Sequence, residues 1–235
     1  MYGLNAVALV LFGCINALAC RLCRCPKALR EKRMTAVCLT LLVWNMVRYG
    51  ILFPMVEHRV RVPVEFSSVA YFVVPAIRLL SPKRFRSWAA YSGLMAGFFY
   101  YLAAVTLGGT LYQTYPPKEI YLSLLCHGAV YLCGFVALGT EAYSAKEAPR
   151  LALGVALAVA WAALLRPVEA GREPMLIYAL MDGACVKRLL PQTAWSFALV
   201  FYYLGMAGLV WLTIQGFFRK NQRQYRRFSA LRAAA

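Results

Sequence analysis

What most constrains this chain is an alternation of apolar runs of membrane-crossing length with short segments rich in basic residues. A helix needs about 20 consecutive apolar residues to cross the hydrocarbon core of a bilayer. Seven stretches come near that length: Tyr2–Ala19, Met34–Phe53, Pro63–Leu80, Ser87–Leu107, Ile120–Leu138, Ala148–Leu165 and Thr193–Phe218. Inside lipid the backbone N–H and C=O groups have no water to bond, so runs of this kind fold as helices. The sequence therefore predicts an all-α polytopic bundle of about seven transmembrane helices, a single domain over 1–218 with a basic tail over 219–235. Composition agrees, since 62% hydrophobic residues and a mean hydropathy of +0.59 exceed what a soluble core of this length uses.

The formal charge of +17, from 26 Lys+Arg against 9 Asp+Glu, would suggest nucleic acid in a soluble protein. Here the basic residues sit between apolar runs, which fits orientation signals and contacts with anionic lipid instead. Eighteen of them follow the first, third and fifth runs or lie in the tail, counting Arg78 at the end of the third run and Arg150 at the start of the sixth; seven lie in the alternate connections, and Arg48 is inside the second run. The positive-inside rule then places the N-terminus outside and the tail in the cytoplasm. The first run has no basic residue ahead of it and no small-residue cleavage site after it, so it reads as a span rather than a removable signal.

The eight cysteines are not spaced as a disulfide framework. Cys20, Cys23 and Cys25 resemble part of a metal site but lack a nearby fourth ligand, so reduced thiols at a membrane edge are expected, with no metal and no cofactor. Met175–Met181 is apolar but too short to span, which suggests an interfacial or re-entrant piece. Gly93 and Gly97 form a small-residue pair suited to close helix packing.

Ionisable residues at membrane depth are functional candidates by default, and His127 is the clearest of them. Ser123 and Tyr131, four residues to either side, extend a polar line along its helical face. At a rise of about 1.5 Å per residue, His127 lies roughly 10 Å inside the outer edge of its run. Glu65, Ser67 and Ser68 open the third run from that side, and Asn45 and Arg48 close the second at comparable depth. Each has a purely structural alternative: Glu65 solvated, Arg48 snorkelling to headgroups, the serines bonding their own helix, Asn45 as interhelical glue. Taken together, a hydroxyl beside a neutral imidazole is the minimum for nucleophilic acyl transfer. On that reading Ser67 is the nucleophile and His127 the base. Asn45 or Arg48 stabilises the oxyanion, and Glu65 orients the imidazole. Cys126 is a rival nucleophile, pointing about 100° away from His127 around the helix. The alternatives are a proton-coupled transporter or small-molecule binder using Glu65, His127 and Arg48, and a membrane scaffold without chemistry.

Several of these segments resemble a known family. Val62-Pro-Val-Glu-Phe-Ser-Ser68 resembles the Leu-Pro-Leu-His-Leu-Cys-Asp opening of the third span in YwaF-like bacterial integral membrane proteins. Ser92-Gly-Leu-Met-Ala-Gly97 is similar to their following glycine-containing helix, Leu124-Leu-Cys-His-Gly128 to their Ser-His-Gly segment, and Tyr178 to Trp195 to the stretch before their last helix. The likeness covers Met34 to Leu212. That family is similar to a eukaryotic multispan acyltransferase that remodels ether phospholipids, and more distantly to androgen-induced intramembrane hydrolases of fatty-acid esters. The resemblance implies a lipid acyl-transfer or ester-cleaving site with His127 as base, a phospholipid or fatty-acid ester substrate, and a bacterial inner membrane. Ser67 stands where the family pattern has cysteine and Glu65 where it has histidine.

Overall fold

The computed structural model describes residues 2–57, 61–80, 83–111, 117–168 and 176–233. The described residues are mostly helical, with no strand among them. In chain order the helices are α1 (Tyr2–Arg24), α2 (Lys27–Val47), a π-helical turn (Arg48–Leu52), α3 (Phe53–Glu57), α4 (Phe66–Leu80), α5 (Arg86–Leu111), α6 (Pro117–Thr140), α7 (Ala148–Leu165), α8 (Leu176–Met181), α9 (Ala184–Leu189) and α10 (Trp195–Ala233). Among the described residues, six helical stretches are long and apolar enough to cross a membrane, while Phe66–Leu80 is apolar but shorter.

Several helices outrun the apolar runs that predict them. The segment expected as a basic connection, Arg21–Arg33, is mostly helix, broken only around Cys25 and Pro26. Pro26, extended at ψ 146°, closes α1 and leaves α2 to start at once. Charged residues at a helix end interrupt the apolar run without interrupting the hydrogen bonds. Pro54 does not end the second run either. It has no N–H to give to the preceding turn, and the π turn just before it absorbs the misfit, so helix resumes to Glu57. The expected tail is a direct continuation of α10, and Gly108 and Gly109 lie within α5. Residues 112–116, with Ser81 and Pro82, lie outside the described residues, and Pro117 is the first residue of α6.

The bundle is organised around α6, whose apolar window is 78% buried inside the protein, against 6% for the window in α10. Its closest neighbour is α5, and glycines make the approach possible. A Cβ on Gly93 would fall 2.6 Å from the Val130 carbonyl oxygen, and one on Gly134 would fall 2.6 Å from the Leu94 amide nitrogen. The Gly93/Gly97 face is thus used inside the chain, against α6. A large apolar core fills the space around these two helices, from Leu22 and Cys23 on α1 to Phe217 and Phe228 on α10.

One end of the bundle is fastened by charge. Arg78 Nη1 donates to Glu141 at 2.6 Å, and its Nη2 donates to Glu31 at 2.9 Å. The Asn221 amide donates to the Leu138 and Glu141 carbonyls, both at 2.8 Å, while its Oδ1 accepts from the Tyr143 N–H at 2.9 Å. Farther along α10, Phe228 is buried and packs at Gly139 and Cys23, and Arg232 donates to the Cys23 carbonyl at 3.0 Å. Residues 219–233 therefore cross the ends of α1 and α6. They bury Asn221 and Phe228 while Arg219, Lys220, Arg223, Arg226 and Arg227 stay exposed.

At the opposite end, α8 and α9 form a short two-helix strap turned by Gly183 at φ 60°, a left-handed conformation that suits glycine. Tyr202 and Tyr203 of α10 donate to the carbonyls of Leu180 and Met181. Arg166 pairs with Asp182 through both guanidinium nitrogens, at 2.7 and 2.6 Å.

Candidate functional site

His127 is 3% exposed and is enclosed by two tyrosines and one serine. Tyr100, from α5, stacks on the imidazole with ring centroids 3.5 Å apart and planes 10° from parallel. Tyr71, from α4, meets the ring at 82°, its hydroxyl 2.6 Å from Nδ1 and 3.1 Å from Nε2. Ser123 lies one turn back on α6, its carbonyl oxygen 2.7 Å and its Oγ 3.3 Å from Nδ1. With the Nδ1 proton donated to the Ser123 carbonyl, the Nε2 lone pair accepts from the Tyr71 hydroxyl. The imidazole is thereby held in one orientation with its basic nitrogen toward α4.

The helices produce this arrangement by simple spacing. Ser123 and His127 are four apart and share a face. Tyr71 follows Ser67 by four and so lies on Ser67's face of α4. Tyr100 is placed by the close α5–α6 contact, since a Cβ on Gly97, three residues before it, would lie 2.7 Å from the His127 carbonyl oxygen.

Not every expected partner joins His127. Ser123 does. Tyr131 instead donates its hydroxyl to Asn16 Oδ1 on α1, at 2.8 Å. The imidazole's own hydrogen bonds go to Tyr71 and Ser123, and none goes to Ser67. Ser67 is half-buried at the start of α4, on the Tyr71 face. Ser68 is buried and donates to the Glu65 carbonyl at 2.8 Å, the backbone-bonding role open to any serine at a helix start. Glu65 turns the other way, its Oε1 accepting the Ile177 N–H at 3.2 Å. Its carboxylate thus holds the first residues of α8, not the imidazole. The extended segment that carries it is tied to α7 by the Trp161 indole N–H, 2.8 Å from the Pro63 carbonyl.

Asn45 and Cys126 face each other across α2 and α6. Asn45 is fully buried; its amide donates to the Leu41 carbonyl at 2.8 Å, while Oδ1 has no hydrogen-bond partner. Cys126 is also buried and is approached by the Asn45 and Trp44 side chains. Arg48, half-buried at the π turn, sets its guanidinium over the Phe53 ring at 4.9 Å, with no carboxylate partner among the described residues. Arg48 is also near enough for its charge to act on both Cys126 and His127.

The structure thus splits the expected cluster into two neighbouring groups. Tyr71, Tyr100, Ser123 and His127 form one, and Asn45, Cys126 and Arg48 the other. Tyr71 and Tyr100 are the residues that sequence reasoning missed. Tyr71 had a usable signal, its four-residue spacing from Ser67; Tyr100 had none, because only the helix contact brings it to the ring. Compared with known proteins, the chain matches no family model, no curated protein sequence and no solved structure.

Proposed function

We propose that this protein is a multi-pass membrane enzyme that transfers or hydrolyses lipid acyl groups at an intramembrane site where His127 is the base and Ser67 the nucleophile. The observation that carries this reading is the orientation of the buried imidazole, pinned by Ser123 and presenting its second nitrogen to the hydroxyl-bearing face of α4. Long side chains in a helix run back over the preceding turn, and on this reading the Tyr71 hydroxyl bridges Ser67 and His127. In the reaction Ser67 attacks the acyl carbonyl while its proton passes through the Tyr71 hydroxyl to His127. On this reading Arg48, whose charge reaches His127, or the Asn45 amide of the neighbouring group stabilises the oxyanion. Phospholipid or fatty-acid ester is the substrate class, in keeping with a bundle open to lipid on most faces.

The topology that goes with this reading has the N-terminus outside, α4 as a seventh, short crossing, and the site in the outer half of a bacterial inner membrane. The basic end then faces the cytoplasm and anionic headgroups. A second reading, a proton-coupled transporter or small-molecule-binding protein, is favoured by one feature: the Arg48 guanidinium has no carboxylate partner among the described residues. It is weakened by Glu65, whose carboxylate is engaged at α8. A scaffold without chemistry remains the third reading, supported by the closed hydrogen-bond set around His127.

Serine-directed fluorophosphonate labelling of the purified protein in lipid nanodiscs tests the proposal. The expected result is labelling of Ser67, lost in Ser67→Ala and His127→Ala and reduced in Tyr71→Phe. Labelling that persists in Ser67→Ala removes Ser67 as nucleophile. Proton-driven uptake abolished by Arg48→Gln, with no acyl chemistry, would move the assignment to transport.

A further inference from the structure

A different pair of side chains points to chemistry of its own. Cys38 on α2 and Cys133 on α6 are both buried, and their sulfurs lie 3.7 Å apart. Antiparallel packing sets the pair: Cys38 faces Cys133 as Asn45, seven residues later, faces Cys126, seven residues earlier. Their surroundings differ in one respect. Cys133 lines a cavity of about 20 Å³ together with Arg78, Arg86, Glu141 and Tyr143, on the scale of one water-sized molecule. Cys38 does not line it. The cavity lies at the charged end of the bundle, where Arg86 and Glu141 retain 37% and 22% exposure.

We propose that Cys38 and Cys133 form an oxidisable dithiol, a modification site whose oxidant is hydrogen peroxide. Peroxide is neutral and has only two heavy atoms, so it suits a cavity that excludes larger oxidants. The Cys133 sulfur attacks one peroxide oxygen and the O–O bond breaks. The departing hydroxide takes up the thiol proton and leaves as water, and Cys133 becomes a sulfenic acid. Arg78, Arg86 and Tyr143 supply the cationic and O–H groups that stabilise the leaving oxygen. Cys38 then attacks the sulfenic sulfur, losing its proton, and a second water departs as the S–S bond forms. In sum two thiols and one peroxide give one disulfide and two waters. From 3.7 Å the sulfurs close to about 2.0 Å, within reach of side-chain rotation on two packed helices. The bond joins α2 to α6 two helical turns from Asn45 and Cys126, locking the helix pair that also carries Arg48 and His127. None of this depends on the acyl-transfer reading.

The test is peroxide treatment of the full chain in nanodiscs, followed by alkylation of remaining thiols and peptide mass spectrometry. The expected product is a Cys38–Cys133 cross-linked peptide, one per chain, reversed by dithiothreitol. In Cys38→Ser, Cys133 stops at the sulfenic acid and is trapped by dimedone, whereas Cys38 in Cys133→Ser is not trapped. Recovery of both cysteines as free thiols, under conditions that oxidise the exposed Cys14 and Cys185, overturns the proposal, as does pairing of Cys133 with another cysteine. Equal trapping of Cys38 and Cys133 in the two variants overturns the assigned order of attack. The wild-type cross-link is decisive even where a variant folds poorly.

Discussion

Alanine at Gly97 probes the contact on which the His127 site rests. A Cβ there would lie 2.7 Å from the His127 carbonyl oxygen and would overlap the Tyr131 Cβ. Ordinary Cβ contacts begin at 3.4 Å, so α5 and α6 must separate locally by at least about 0.7 Å, the difference between those two distances. The obstructing atoms belong to or adjoin helix backbone and cannot rotate away. Overpacking of this kind costs about 1–3 kcal/mol. The better helix propensity of alanine returns about 1 kcal/mol, leaving a net loss of up to about 2 kcal/mol. Gly205 is the control: it is also inside a helix, but a Cβ there meets nothing within 4 Å, so Gly205→Ala keeps only the propensity gain. The two substitutions thus differ in effect by about 1–3 kcal/mol, with Gly97→Ala the less stable. Reversible unfolding in mixed detergent micelles measures both. A Gly97→Ala protein as stable as Gly205→Ala refutes the packing argument. Because the displaced oxygen belongs to His127, Gly97→Ala also lowers any activity that uses the imidazole.

Tyr71→Phe removes the hydroxyl from His127 and is expected to lose about 0.6–1.7 kcal/mol, the range for hydrogen bonds between membrane helices; a double-mutant cycle with His127→Ala that shows no coupling counts against the contact. Asn221→Leu leaves the Leu138 and Glu141 carbonyls and the Tyr143 N–H without a side-chain partner and should destabilise by about 1–3 kcal/mol, seen as faster hydrogen exchange at 138–143. Arg78→Ala removes the nearest cation from Glu31 and Glu141, leaving Arg30 at 4.0 Å and Arg86 at 3.8 Å. Removing Glu141 as well, in Arg78→Ala/Glu141→Gln, should restore part of the loss, and the absence of any rescue argues against the ion-pair assignment. Asp182 is held below the usual carboxylate range by hydrogen bonds from Arg166. A lowered folded pKa stabilises above the unfolded value, near 3.9 for aspartate, and that contribution is lost as pH falls through the folded value. The α8–α9 strap should therefore hold from neutral pH down to about 4 and loosen only below it, as read by hydrogen exchange over 176–189. Loosening already at pH 6 would assign the strap to another group.

The apolar runs determined most of the architecture without help from tertiary structure, because burying backbone in lipid leaves helix as the only economical answer for runs of that length. Ala148–Leu165 is the plainest case, with structural limits matching the run. Helix ends were less legible. At Lys27 and beyond Phe218, hydropathy stops at the membrane edge while hydrogen bonding does not. His127 stood out by itself, since an imidazole within an apolar run is conspicuous whatever packs around it. Its partners were decided by tertiary structure. Depth along separate helices made Asn45, Arg48 and Ser67 candidates, but depth leaves rotation about each helix axis open. The glycine-mediated contact of α5 with α6 set that rotation, bringing Tyr100 onto the ring. The packing of α4 brought Tyr71 to its edge, and the strap at α8 drew Glu65 away.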